Sequence, residues 1–461
     1  MRSSVLYIVL LTAHLSAGSF SIAQITRDVG EIAVIEGDDL QADPKIIIPP
    51  TDPIGNPCPG NPALTVDVEQ VAKTFYQSHE PVYQALILFS NFPYTSASSD
   101  AGCNEPASTV HSCNVGGGTF ARAATNTVSG IHKEICEFET KFGSNGTLEV
   151  MVSMNSLPDP NDPTNPPPDP NEPLNSNTPY SMMSLLGQEV GHRWGSSIEF
   201  DSDPGPTVVR SDALLGRGLA HWSFFFHAAS VTSDATTMEA SSLAGTNWQI
   251  NASSPEFQSV PNTDGFCQLD LYLMGLLPES DVEPFWYIAD PFNVSPPASA
   301  VNPPRTVTTT AEGDQTWVNI GDVIAVEGHR VPHYANSPKI FRQAFILLTR
   351  QEMDVTRAEL DQVERYRVAW EKYFGEKTQD RGAVITNLDD VVFVDRANTC
   401  PVPLRDCDGT VDDPFPSVAM GQFYTPAAGT LAITAGIYPE NLTLSKEMTL
   451  RAVRGTVTIG G

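Results

Sequence analysis

The chain is expected to fold as an α+β domain of residues 61–397 followed by a small all-β segment of residues 398–461. Three observations lead there. Apolar runs of strand length alternate with patterns of helical period, a well-signed amphipathic helix starts after Thr356, and the composition after Cys407 changes to short alternating strands between turns.

Before the domain, Arg2 precedes an apolar run from Val5 to Leu11, and small residues lead to Ser21-Ile22-Ala23. That layout reads as a signal peptide over residues 1–23, so the protein is expected to be secreted and extracellular, with no transmembrane anchor. Residues 24–60 are rich in Pro, Gly and Asp and read as a leader or linker. Inside the domain, Val66 to Ser78 is helical in pattern, Ala85-Leu-Ile-Leu-Phe89 is a buried strand, and Leu148 to Met154 alternates like another. Residues 157–173 carry too many prolines for ladder hydrogen bonds and are expected to form an exposed, polyproline-like loop. Thr356 and Glu359 make a capping box ahead of Leu360, Val363, Trp370, Tyr373 and Phe374, which read as core.

The 461 residues carry a formal net charge of −29, which excludes a polyanionic nucleic-acid partner. Seven cysteines in an exported chain suggest disulfides, with Cys103/Cys113 and Cys400/Cys407 as short-loop candidates. No Cys-x-x-Cys spacing occurs, so a thiolate zinc site is not expected.

The chemistry is concentrated in one helix. Thr178 and Pro179 are placed to start it, and Gln188-Glu189-Val190-Gly191-His192 follows. In the His-Glu-x-x-His pattern two imidazoles four residues apart share a helix face and one zinc ion, and the glutamate acts as general base toward water. Here glutamine stands at the first position.

The stretch Leu185-Leu-Gly-Gln-Glu-Val-Gly-His-Arg-Trp-Gly195 resembles the matching segment of a poorly characterised family of secreted bacterial zinc-metallopeptidase-like proteins. Leu215-Gly-Arg-Gly-Leu-Ala-His-Trp-Ser-Phe-Phe225, Met238-Glu with Asn247-Trp248, and Leu269-Asp-Leu-Tyr-Leu-Met-Gly-Leu-Leu-Pro278 resemble its later segments in the same order. The resemblance spans roughly Leu148 to Pro284. It implies a zincin-like fold with an active-site helix, zinc as cofactor, Gln188 and His192 as metal ligands, Glu189 as catalytic base, and peptide or protein as substrate. His221 is the leading third ligand because neutral imidazole is the best donor nearby. Asp270 competes as a ligand or as a group orienting a histidine.

A carboxamide holds zinc less tightly than imidazole, so catalysis is expected to be impaired. Gln188 favours the alternative of a non-catalytic peptide- or glycan-binding protein, while Glu189 and His192 favour an enzyme ancestry. The run Gly429-Thr-Leu-Ala-Ile-Thr-Ala-Gly-Ile-Tyr-Pro-Glu-Asn-Leu-Thr-Leu444 resembles the first coil of right-handed parallel β-helix proteins of the pectate-lyase type, and implies a partial β-helix with contact to glycans or a cell surface.

Overall fold

A computed structural model of the chain describes residues 26–37, 47–48, 64–97, 119–137, 141–159, 167–172, 174, 180–228, 239–250, 256–260, 265–302, 307–351, 353–388, 390–399 and 407–460. The signal-peptide reading, the Cys103/Cys113 pair, Cys400 and the Thr178 cap fall outside these residues. Cys267 is buried and free.

The first strands, β1 (Thr26–Val29) and β2 (Ile32–Gly37), pair antiparallel within the segment expected to be leader. Helix α1 (Val68–Phe75) follows, its first turn closed by the Asp67 carboxylate accepting from the Gln70 amide at 3.1 Å. Strands β3 (Ala85–Ser90), β4 (Phe120–Ala123) and β5 (Val150–Ser156) come next. Every residue of β3 is buried, as a strand covered on both faces must be.

After helix α2 (Met182–Gly191) the chain builds a separate barrel from β6 (Trp222–His227), β7 (Ala244–Ile250), β8 (Glu256–Val260), β9 (Phe285–Ser295) and β10 (Thr310–Val318). β6 pairs with β7, β7 with β8, β8 with β10, β10 with β9, and β9 with β6, so the ring closes. Phe224, Phe225, Trp248, Phe257, Trp286 and Ile288 form one buried cluster within this unit. Helix α3 (Gln268–Leu273) lies between β8 and β9, and α4 (Ile320–Glu327) follows the barrel.

The chain then returns to the first sheet. β11 (Ile340–Arg350) inserts between β2 and β3, giving the order β1-β2-β11-β3-β5-β4, with Ala383–Ile385 paired to β11. The inner strands are parallel, and β1 and β4 are antiparallel to their neighbours. Successive side chains of a strand face opposite ways, so Leu86 and Leu88 join the core with α1 while Ile87 and Phe89 join the core with α2 and α5 (Arg357–Lys377). The expected capping box of α5 is present, with Glu359 N–H donating to the Thr356 hydroxyl at 3.2 Å and Thr356 N–H donating to the Glu359 carboxylate at 2.7 Å. At the end of the chain β12 (Val391–Val394), β13 (Thr430–Tyr438) and β14 (Thr449–Ile459) form a three-stranded parallel sheet.

Among the described residues the chain is therefore mostly β, with 36% strand against 21% helix, several sheets and a five-stranded barrel. This corrects the expected α+β zincin-like domain with a small all-β C-terminal segment. The reason is visible in β6, where Trp222 to Phe226 are all buried. A strand buried on both faces loses the period-two alternation by which strands are recognised, and the pairings that close the barrel join residues far apart in sequence. Of the proline-rich segment the structure describes residues 157–159 and 167–172, in which Asp159, Asp169, Asn171 and Glu172 are exposed. Pro170 is buried, and its carbonyl accepts from the Met183 amide at 3.1 Å in the first turn of α2.

Candidate active site

Helix α2 starts at Ser181, whose hydroxyl accepts from the Ser184 amide at 3.0 Å. Its two faces are sharply divided. Met183, Leu186 and Val190 enter the core with α5, and Gly187 and Gly191 let the helix lie close to its neighbours. A Cβ on Gly187 would meet Ser242 Oγ at 3.0 Å and the Tyr373 ring at 3.2 Å, and one on Gly191 would meet Leu243 at 3.3 Å. Leu185, Gln188, Glu189, His192 and Arg193 follow the spacing of one helix face and line a cleft of about 1120 Å³.

His221 lines the same cleft. It lies just before β6, and β6 is brought alongside α2 by the loop at Ser242 and Leu243, since Trp222 N–H donates to the Leu243 carbonyl at 2.8 Å. The His192 and His221 rings stand edge to face with centroids 4.7 Å apart. His221 Nδ1 lies 2.8 Å from the Arg217 carbonyl, which can only accept, so Nδ1 carries the proton and Nε2 keeps the lone pair. Arg217 Nη2 donates to that Nε2 at 2.9 Å.

The far wall of the cleft is the edge of the sheet, where Thr119, Phe120, Ala121 and Ala123 line it. Among the described residues β4 pairs only with β5 and presents its other edge to this space. The Glu189 carboxylate bridges helix and edge. It accepts from the Thr119 hydroxyl at 2.7 Å and from the Ala121 amide, with Gln188 Nε2 further away at 3.5 Å.

Burial pushes the Glu189 carboxyl above its ordinary range, against the opposing pull of the Thr119 hydrogen bond and the nearby Arg217 charge. For His192, burial first and then the neighbouring His221 and Lys133 depress the pKa to about 3, so the ring is neutral at physiological pH. A neutral imidazole is the form that binds a metal ion.

Four of the five expected site residues therefore meet: Gln188, Glu189, His192 and His221. Asp270 does not join them. It is the third residue of α3, fully buried, and its carboxylate accepts from Trp222 Nε1 at 2.7 Å, Ser241 Oγ at 2.7 Å and the Cys267 amide at 2.8 Å. Its role is to hold Trp222, the neighbour of His221, and through Ser241 the loop that packs on Gly191. His227 belongs to the barrel, where it stacks on Trp286 with centroids 4.5 Å apart.

Three contributors escaped the sequence reading. Thr119 directly precedes β4, a short strand with no marked alternation that supplies the sheet edge, and Arg217 precedes His221 by four residues in a 3-10 turn rather than on a helix. The Leu215-Gly-Arg-Gly-Leu stretch was the available signal for Arg217, because two glycines around an arginine indicate a tight turn.

A cluster of His132, Glu199 and Glu327 brings three ligand atoms within 4.8 Å of one another, and His132 and Glu327 line the cleft. His132 Nδ1 and the Glu327 carboxylate are 2.9 Å apart, an ion pair when the ring is protonated. Among the described residues no helix is long and apolar enough to cross a membrane. Compared with known proteins, the chain matches no family model, no curated protein and no solved structure.

Proposed function

We propose that this is an exported, metallopeptidase-like protein whose cleft binds extended polypeptide, with a weakened zinc centre formed by Gln188, His192 and His221 around Glu189. The observation that carries the reading is the convergence of these four residues on one cleft bordered by a sheet edge. Two neutral imidazoles with ring centroids 4.7 Å apart suit zinc, whose ligands are nitrogen, sulfur and oxygen atoms close together. The third donor is the weak one, because the Gln188 amide oxygen is neutral and a poorer ligand than imidazole.

When bound, zinc supplies a Lewis acid that polarises a peptide carbonyl. The rest follows from side chains of this chain. An extended peptide can run along β4 as an added strand, its main chain hydrogen-bonding to the edge while alternate side chains enter the cleft. The cleft exceeds the roughly 300–1,000 Å³ of small-molecule pockets, which agrees with a polymeric ligand. Glu189, held by Thr119 and the Ala121 amide, accepts a proton from water at the carbonyl, and its raised pKa brings it nearer the working range of a general base. With Gln188 as third donor, peptide binding outlasts hydrolysis. A binding protein without catalysis is the second reading, and Gln188 is the residue that favours it.

The test is zinc content after metal repletion, by elemental analysis, for the wild type, Gln188→His and His192→Ala. Weak zinc uptake in the wild type, strengthened by Gln188→His and abolished by His192→Ala, is expected. Absence of zinc from both the wild type and Gln188→His would remove the metal centre from the proposal and leave peptide binding alone.

A further inference from the structure

We infer that Arg217 is a displaceable cationic cap on the metal-binding nitrogen of His221, so that loading of the site is a competition between zinc and this guanidinium. The inference rests on the zinc-site reading above and adds a regulatory element to it.

Three observations carry it. Because the Arg217 carbonyl holds the Nδ1 proton at 2.8 Å, Nε2 is the nitrogen of His221 left to coordinate a metal, and Nε2 is the atom that Arg217 Nη2 reaches at 2.9 Å. The same residue thus selects the tautomer with its main chain and occupies the lone pair with its side chain. Secondly, Arg217 lines the same cleft as Glu189, His192 and His221, so its guanidinium belongs to the space in which a metal ion would be held. Thirdly, Arg217 is exposed and belongs to a 3-10 turn, Arg217–Leu219, in which Gly218 and Leu219 have φ of +64° and +51°. An exposed contact from a long side chain is weak, and the guanidinium can leave without opening the core.

The cap has a consequence for the ligand. A peptide carboxylate, from an acidic side chain or a C-terminus, forms a two-pronged pair with a guanidinium more strongly than a neutral ring nitrogen does. An acidic peptide in the cleft draws Arg217 off Nε2 and so tightens zinc binding, whereas a neutral peptide of the same length does not.

Two measurements on the full chain test this. The rate of ethoxycarbonylation of His221 by diethyl pyrocarbonate, mapped by peptide mass spectrometry, reports access to Nε2 with no metal involved. Zinc affinity is measured by competition with a chelating dye, in the wild type, Arg217→Ala and Arg217→Gln, each also in the Gln188→His background, where the site is stronger. Circular dichroism melting confirms that the variants fold. Removing the cap should raise the His221 modification rate severalfold and tighten zinc binding about five- to tenfold, the worth of one hydrogen bond.

An unchanged modification rate overturns the proposal whatever zinc does. Faster modification with unchanged or weaker zinc affinity overturns the competition. Faster modification with no zinc bound by any variant leaves the cap standing and refutes the zinc reading on which its function rests.

Discussion

Replacement of Asp270 tests how the third candidate ligand is delivered to the cleft. The carboxylate is 1% exposed and accepts from Trp222 Nε1, Ser241 Oγ and the Cys267 amide at 2.7, 2.7 and 2.8 Å. Asp270→Ala leaves three buried donors without an acceptor, at about 1–3 kcal/mol each. The three share one carboxylate and do not add fully. Part of the loss is also offset, because burial of this carboxyl is itself unfavourable and pushes its pKa up. The expected net destabilisation is about 4 kcal/mol for Asp270→Ala and about 2 kcal/mol for Asp270→Asn, which keeps one oxygen acceptor. Urea unfolding at pH 7 followed by tryptophan fluorescence measures both, and zinc affinity is read below the unfolding transition. A loss under about 1 kcal/mol for Asp270→Ala would refute the anchoring role. Unchanged stability with zinc binding abolished in Asp270→Asn would instead make Asp270 a ligand.

Acid should weaken the barrel through His227, whose Nδ1 accepts from the Trp248 amide at 3.0 Å and whose burial lowers its pKa from 6.5 to about 4. Between these values the unfolded chain binds the extra proton, so stability falls as pH drops from 6.5 to 4, by up to about 3 kcal/mol, and is independent of this group outside that window. Urea unfolding from pH 7 to 4 should lose that part of the slope in His227→Gln, and an identical slope in both proteins counts against the assignment. Gly216→Ala should cost about 1–3 kcal/mol in thermal melts, because its Cβ would meet the Ala300 and Trp222 carbonyl oxygens at 2.6 and 2.8 Å. It should also raise the His221 modification rate, since Gly216 N–H donates to the His221 carbonyl at 2.7 Å and ties the Arg217 turn to the ring it caps. A variant as stable as the wild type would show that this turn has room to move.

What the sequence determined by itself was local. The spacing of Leu185, Gln188, Glu189, His192 and Arg193 places them on one helix face wherever the helix lies, and the Thr356/Glu359 box starts α5 from contacts three residues apart. The buried runs of β3 and β5 were legible for the same reason, since their composition is their environment. Tertiary structure decided the rest. Trp222 to Phe226 close a barrel only because β7 and β9, far away in sequence, supply their hydrogen bonds. His221 enters the cleft and Asp270 stays behind it because a strand carries one and a buried helix start holds the other. Both are acceptable metal ligands by residue type. Which one a metal can reach depends on how distant segments pack, and spacing along the chain carries no information about that.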